Sequence, residues 1–279
     1  MQILKNILIN GSKDKPIGLD VFYKETGKPK TIVIFVHGFK GFKDWGHFNE
    51  IAKTFAEEDF VFVKFNFSYN GTTPSNPLAF DDLDAFGNNN YIIELNDLGL
   101  VIDWISKNEA LANEVNPESI YLIGHSRGGG IIVLKAAEDK RITKITTWAA
   151  VSDFINRNNQ NTIKVWKEKG VVHTYNMRTE QQMPLYYQFY ETIQNNKERL
   201  NIVKAAKQLA IPFLIVHGTT DNAVAFKDAE ELRQACRQSE LLVIENGDHT
   251  FGAKHPFNST VFPEHANTVI QHTLEFFKK

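Results

Sequence analysis

Hydrophobic positions alternate between short β-rich runs and longer stretches of helical spacing, a rhythm that predicts a mostly parallel sheet with helices on both faces. Gln2–Ile9 and Leu19–Tyr23 read as the two opening strands of a hairpin. Thr31–Val36 (TIVIFV) is a continuous apolar run, as expected of a strand buried on both sides. Phe48, Ile51, Ala52 and Phe55 share one helical face ahead of the next strand, Val61–Phe65. A polar loop rich in Gly, Pro and Asn is predicted over Tyr69–Asn90, followed by a helix from about Tyr91 to Lys107 with Leu95, Leu98, Ile102 and Ile105 inward. Strand Ser119–Ile123 then runs into a glycine-rich turn and an apolar helix from near Gly129, and Ile142–Val151 supplies the sixth strand. Further on come strand Pro212–His217, a helix from about Phe226 to Cys236, strand Leu241–Glu245 and a closing helix near Pro263–Phe277.

The stretch 152–201 breaks this rhythm. It is long, polar and aromatic, with no clear strand, so the chain reads as one domain, 1–279, with an insertion after the sixth strand. Its 31 basic and 33 acidic side chains nearly cancel, and no basic stripe points to nucleic acid. The sole cysteine, Cys236, cannot form an internal disulfide. The apolar opening residues read better as a strand than as a signal peptide, and no apolar run approaches a membrane span. A soluble cytoplasmic protein without a membrane or nucleic-acid partner is the expectation.

The chemistry concentrates at Gly124-His125-Ser126-Arg127-Gly128. Acyl transfer needs an oxygen nucleophile that is exposed, near a base, and followed by backbone N–H groups for the developing oxyanion. A serine on a tight strand-to-helix turn meets these demands together, and only small residues fit two positions before and after it. The strand IYLIG before this turn and the helix GGGIIVLKAA after it supply that context. The competing reading, a serine that merely caps the helix, leaves the rest of the pattern unused.

A serine nucleophile on such a turn is followed in chain order by an acid and a histidine after later strands. Asp221 stands in His217-Gly218-Thr219-Thr220-Asp221, and His249 in Asn246-Gly247-Asp248-His249-Thr250-Phe251. His249 would take the proton from Ser126, and Asp221 would hold the imidazole. Asp153 is the rival acid, since it follows the preceding strand; Asp248 reads as a turn residue. The oxyanion donors would be the N–H groups of Arg127 and of Phe39, the latter in His37-Gly38-Phe39-Lys40-Gly41. No H-E-x-x-H or C-x-x-C spacing occurs, and metal catalysis is not expected.

On these motifs the chain resembles the α/β-hydrolase superfamily, and within it feruloyl and cinnamoyl esterases, dienelactone hydrolase-like proteins and serine aminopeptidase-like hydrolases. The resemblance implies the α/β-hydrolase fold: a mostly parallel eight-stranded sheet flanked by helices, with a cap inserted after strand 6. It also implies cofactor-free hydrolysis of a small-molecule ester by Ser126, Asp221 and His249, with Phe39 and Arg127 as oxyanion donors. Dienelactone hydrolases proper tend to use cysteine where this chain has Ser126, which counts against that activity.

The insertion would cover the site, and its aromatic content suggests a partly apolar or aromatic substrate held by Trp166, Tyr175, Met177 and Tyr186. Lys40, Lys43 and Arg178 could favour a carboxylate-bearing substrate, although exposed basic residues are usually solvated surface. Two other readings stay open. One is a peptidase whose cap acids, Glu168, Glu180 or Glu191, would hold a charged amino terminus. The other is a catalytically silent protein that binds a ligand.

Overall fold

The computed structural model describes residues 1–279. Ten strands form: β1 (Gln2–Asn10), β2 (Pro16–Tyr23), β3 (Lys30–Val36), β4 (Val61–Asn66), β5 (Val115–His125), β6 (Ile142–Trp148), β7 (Val171–Asn176), β8 (Gln181–Tyr186), β9 (Phe213–Gly218) and β10 (Glu240–Ile244). Nine α-helices accompany them: α1 (Phe48–Glu57), α2 (Leu83–Asn88), α3 (Tyr91–Ser106), α4 (Arg127–Glu138), α5 (Gln160–Lys169), α6 (Gln188–Asn195), α7 (Ile202–Gln208), α8 (Phe226–Ala235) and α9 (Glu264–Lys278). Eight of the strands build one sheet in the order β1-β2-β4-β3-β5-β6-β9-β10. β1 and β2 pair antiparallel, β2 meets β4 antiparallel, and every pairing from β4 to β10 is parallel. This is the α/β-hydrolase architecture that the motifs implied.

The twofold repeat of the strands divides the core. In β3, Ile32, Ile34 and Val36 face one way and join Leu95, Leu98 and Ile102 of α3 and Ile131 of α4. Val33 and Phe35 face the other way, onto Phe48, Ile51 and Phe55 of α1 and Val269, Ile270 and Leu274 of α9. Both faces are therefore covered, which is why β3 carries no polar alternation. Open α/β sheets of this kind place their sites in the loops at the carboxyl ends of the strands.

Two elements depart from the sequence expectation. The polar stretch Tyr69–Asn90 contains α2, opened by Asp82, whose side chain accepts a hydrogen bond from Ala85 N–H. The insertion, expected to lack strands, contains the antiparallel hairpin β7–β8 between α5 and α6. Its residues are mostly half-exposed, so no clean alternation of apolar and polar positions marks it. The hairpin rests on α2 and the loop before it: Met183 packs with Phe42, Phe80 and Phe86, and Gln181 Nε2 donates to Phe80 O at 3.1 Å. No helix is long and apolar enough to cross a membrane.

Candidate active site

The site assembles at four strand ends. β3 leads to Phe39, its neighbour β5 to Ser126, β9 to Asp221 and its neighbour β10 to His249. Ser126 sits between β5 and α4 with φ 57° and ψ −120°, a left-handed conformation that costs a non-glycine residue strain. The surrounding turn enforces it. Ser126 N–H donates to Trp148 O at 2.8 Å, and a Cβ on Gly128 would come within 2.3 Å of Val36 O, so the turn lies against β3. Gly38 closes on the serine from the other side, where a Cβ would stand 2.9 Å from Ser126 Cβ. The helix begins at Arg127, directly after the serine, earlier than the periodicity alone indicated.

The hydroxyl does not cap that helix; its partner is a histidine. Ser126 Oγ lies 3.0 Å from His249 Nε2, and His249 Nδ1 lies 2.7 Å from Asp221 Oδ2. A carboxylate only accepts, so Nδ1 carries the proton and Nε2 is left to accept from the serine. Asp221 Oδ1 accepts from Ala223 N–H at 2.8 Å and Val224 N–H at 2.9 Å, which fixes the carboxylate in the loop. Burial alone would raise its pKa; hydrogen bonding from His217, His249 and Val224 N–H outweighs that and holds it well below the ordinary carboxylate range. Asp153 is engaged elsewhere, accepting from Ile155 N–H and Asn156 N–H, and Asp248 caps its own turn through Thr250 and Gly252 N–H.

Two backbone N–H groups beside Ser126 have no acceptor within the chain, those of Phe39 and Arg127. Arg127 N–H opens a helix, where no intrahelical partner exists. The side chains of the same two residues are locked together, with the guanidinium 4.0 Å above the Phe39 ring. Behind it Glu94, which is buried, accepts from Arg127 Nη1 at 3.3 Å and from Asn89 Nδ2 at 2.8 Å. Burial pushes the Glu94 carboxyl above its ordinary range.

Two cavities meet at Ser126 and His249. One, of about 340 Å³, is walled by Tyr91, Val151, Phe154, Ala223 and Val224, with Lys40, Arg127 and Arg157. The other, of about 180 Å³, is walled by Trp45, Phe48, His125 and Thr250. Of these, Phe154 falls in the aromatic insertion flagged by the sequence. Tyr91, Arg157, Trp45 and Phe48 carry no local signal and reach the site through the fold.

The four insertion residues expected at the substrate line neither cavity. Trp166 is buried within the insertion, stacked 6.0 Å from Phe189, with Nε1 donating to Leu185 O at 2.6 Å. Tyr175 and Met177 stand exposed at the hairpin's end, and Tyr186 packs on Gly87 with its hydroxyl on Asp84. Lys43 and Arg178 are likewise committed, Lys43 to a buried ion cluster and Arg178 to the rings of Phe42 and Phe80. Of the three bases singled out for a carboxylate, Lys40 alone lines either cavity at Ser126.

Known proteins share this frame. Monoglyceride lipase of Mus musculus is 20% identical, over 91% of this chain and 86% of its own. Est1E of Butyrivibrio proteoclasticus, solved with ferulic acid bound, superposes with a TM-score of 0.74 at 16% identity, covering 98% of each chain. The esterase domain of a Rhodothermus marinus protein gives a TM-score of 0.65 at 18% identity, covering 99% of this chain and 98% of its own. At such identities the structural likeness speaks for the fold. The BD-FAE family model matches residues 19–236, a span from β2 to the residue after α8 that contains both Ser126 and Asp221. The chain belongs to the BD-FAE family, among the esterase-like hydrolases of the α/β-hydrolase superfamily.

Proposed function

We propose that this protein is a serine hydrolase that cleaves a small carboxylic ester through an acyl-enzyme on Ser126. The observation that carries the reading is the unbroken hydrogen-bonded line from Ser126 Oγ through His249 to Asp221, on a strained turn beside two uncommitted N–H groups. His249 Nε2 takes the Ser126 proton as Oγ bonds to the ester carbon, and the carbonyl electron pair moves onto its oxygen. The N–H groups of Phe39 and Arg127 hold that oxyanion. When the pair returns, the bond to the leaving oxygen breaks, and the His249 imidazolium protonates it as the alcohol departs. A water then repeats the sequence on the acyl-Ser126 ester, releasing the acid and restoring the serine. Asp221 keeps the imidazole in the tautomer this needs and stabilises its charged form.

The apolar walls at Trp45, Phe48, Tyr91 and Phe154 suit a partly aromatic or apolar ester. Glu168, Glu180 and Glu191 are exposed and line neither cavity, so nothing at the site favours binding a peptide's charged amino terminus. Turnover of p-nitrophenyl butyrate by the native protein and by Ser126→Ala tests the proposal. Loss of a triad serine costs roughly a million-fold in kcat, and equal rates would overturn it.

A further inference from the structure

The two cavities at Ser126 differ in charge. Trp45 and Phe48 give the smaller one an apolar wall, whereas the larger adds Arg127 and Arg157 to the Lys40 they share, and no acidic side chain lines either. The three cations of the larger cavity are poorly matched by the chain itself. Lys40 Nζ donates to a neutral acceptor, Tyr175 O, at 2.7 Å. Arg127 makes one long contact, 3.3 Å, to Glu94, leaving most of its five donors unused. Arg157 lies 3.5 Å from Asp228, whose carboxylate is already taken by the N–H and hydroxyl of Ser152 at 2.8 and 3.0 Å. Burial, and after it the nearby charge of Arg127, hold the Lys40 ammonium below its ordinary range.

On the ester-hydrolase reading above, we propose that the substrate carries an anionic group, a carboxylate, that lodges among Lys40, Arg127 and Arg157 while its scissile ester lies on Ser126. Arg127 is held flat on the Phe39 ring, so its fork of N–H groups is ordered before a ligand arrives. Such a fork meets a carboxylate in its own plane with two hydrogen bonds. The apolar cavity would then take the opposite, uncharged side of the ester. Lys40 belongs to both walls, so it lies where the charged and uncharged parts of the substrate divide.

Two matched substrate pairs test this. In the first the charge is on the acyl side, p-nitrophenyl hydrogen adipate against p-nitrophenyl hexanoate. In the second it is on the leaving group, 4-acetoxybenzoate against its methyl ester. In one pair the anionic ester is expected to show kcat/KM at least about tenfold higher, the gain of one charge-assisted hydrogen bond. That ratio should fall toward one in roughly 0.5 M sodium chloride, and it should fall severalfold in Arg157→Gln and in Lys40→Gln. Preference for the neutral ester in both pairs, or a preference that neither substitution changes, would overturn the proposal. Absence of turnover of all four esters would instead count against the ester-hydrolase reading on which it stands.

Discussion

Ser126 combines a left-handed backbone with a hydroxyl turned to a histidine instead of capping its own helix. The backbone turn follows from five contiguous residues, because the elbow needs small neighbours at fixed offsets and the chain displays them. Asp221 and His249 were legible for the same reason: each stands a few residues beyond an apolar strand. Arg157 was not, because an arginine in a polar stretch reads as solvated surface until the fold brings it to a cavity wall. Burial leaves a second mark on single residues here. His47 is enclosed by Phe48, Phe257 and Phe262 with Nδ1 unpartnered, and burial lowers its pKa to about 4. Since the folded state favours the neutral ring, the stability this protects is complete above the ordinary histidine pKa, about 6.5. It is lost as the pH falls from there toward about 4. The slope in that window is about 1.4 kcal/mol per pH unit. His47→Phe should therefore shrink the fall in melting temperature between neutral and mildly acidic pH. An unchanged fall would show that His47 does not contribute to it.

At the scale of elements, helices with a wide apolar face were legible and small elements that lean on others were not. α3 keeps Leu95, Leu98 and Ile102 on one side and appears in the sequence nearly at its true bounds. α2 is a six-residue helix held by one Asp82 cap and by contact with β8, and neither source of order has a local periodicity. The hairpin β7–β8 buries few of its side chains, so its strands show no alternation. This explains why the aromatic residues singled out in the sequence do not line the cavities at Ser126. Trp166 is packed into the core against Phe189, while Tyr175 and Met177 sit at the exposed end of the hairpin. Tyr175→Ala and Met177→Ala should leave kcat/KM for a p-nitrophenyl ester within about twofold of the native value, since exposed substitutions away from a site are usually near-neutral. A tenfold loss in either would place the hairpin tip at the substrate.

Across the whole molecule, the antiparallel edge of the sheet is tied to the loop that carries Phe39. Asp20 of β2 and Lys64 of β4 are fully buried and pair with Lys43 and Asp44, which follow that loop. Lys43 Nζ lies 2.8 Å from Asp20 and 2.6 Å from Asp44, and Lys64 contacts both acids. Removing one acid strands two buried lysines on the other. Asp20→Ala should cost about 3–5 kcal/mol in chemical denaturation, and adding Lys64→Met should recover part of it. A single substitution costing less than about 1 kcal/mol would show the cluster to be well hydrated. None of this was legible beforehand: Lys43 read as a surface base, because Asp20 and Lys64, which complete the cluster with Asp44, lie on distant strands.

Ser126 as the acylated residue is tested most directly by covalent capture. The native protein would be treated with a fluorophosphonate, weighed intact and mapped by peptide. The expected result is one adduct per chain, on Ser126, accumulating in step with the loss of esterase turnover and absent from Ser126→Ala. A protein that stays unlabelled while turning over ester, or one labelled elsewhere with Ser126→Ala still active, would contradict it.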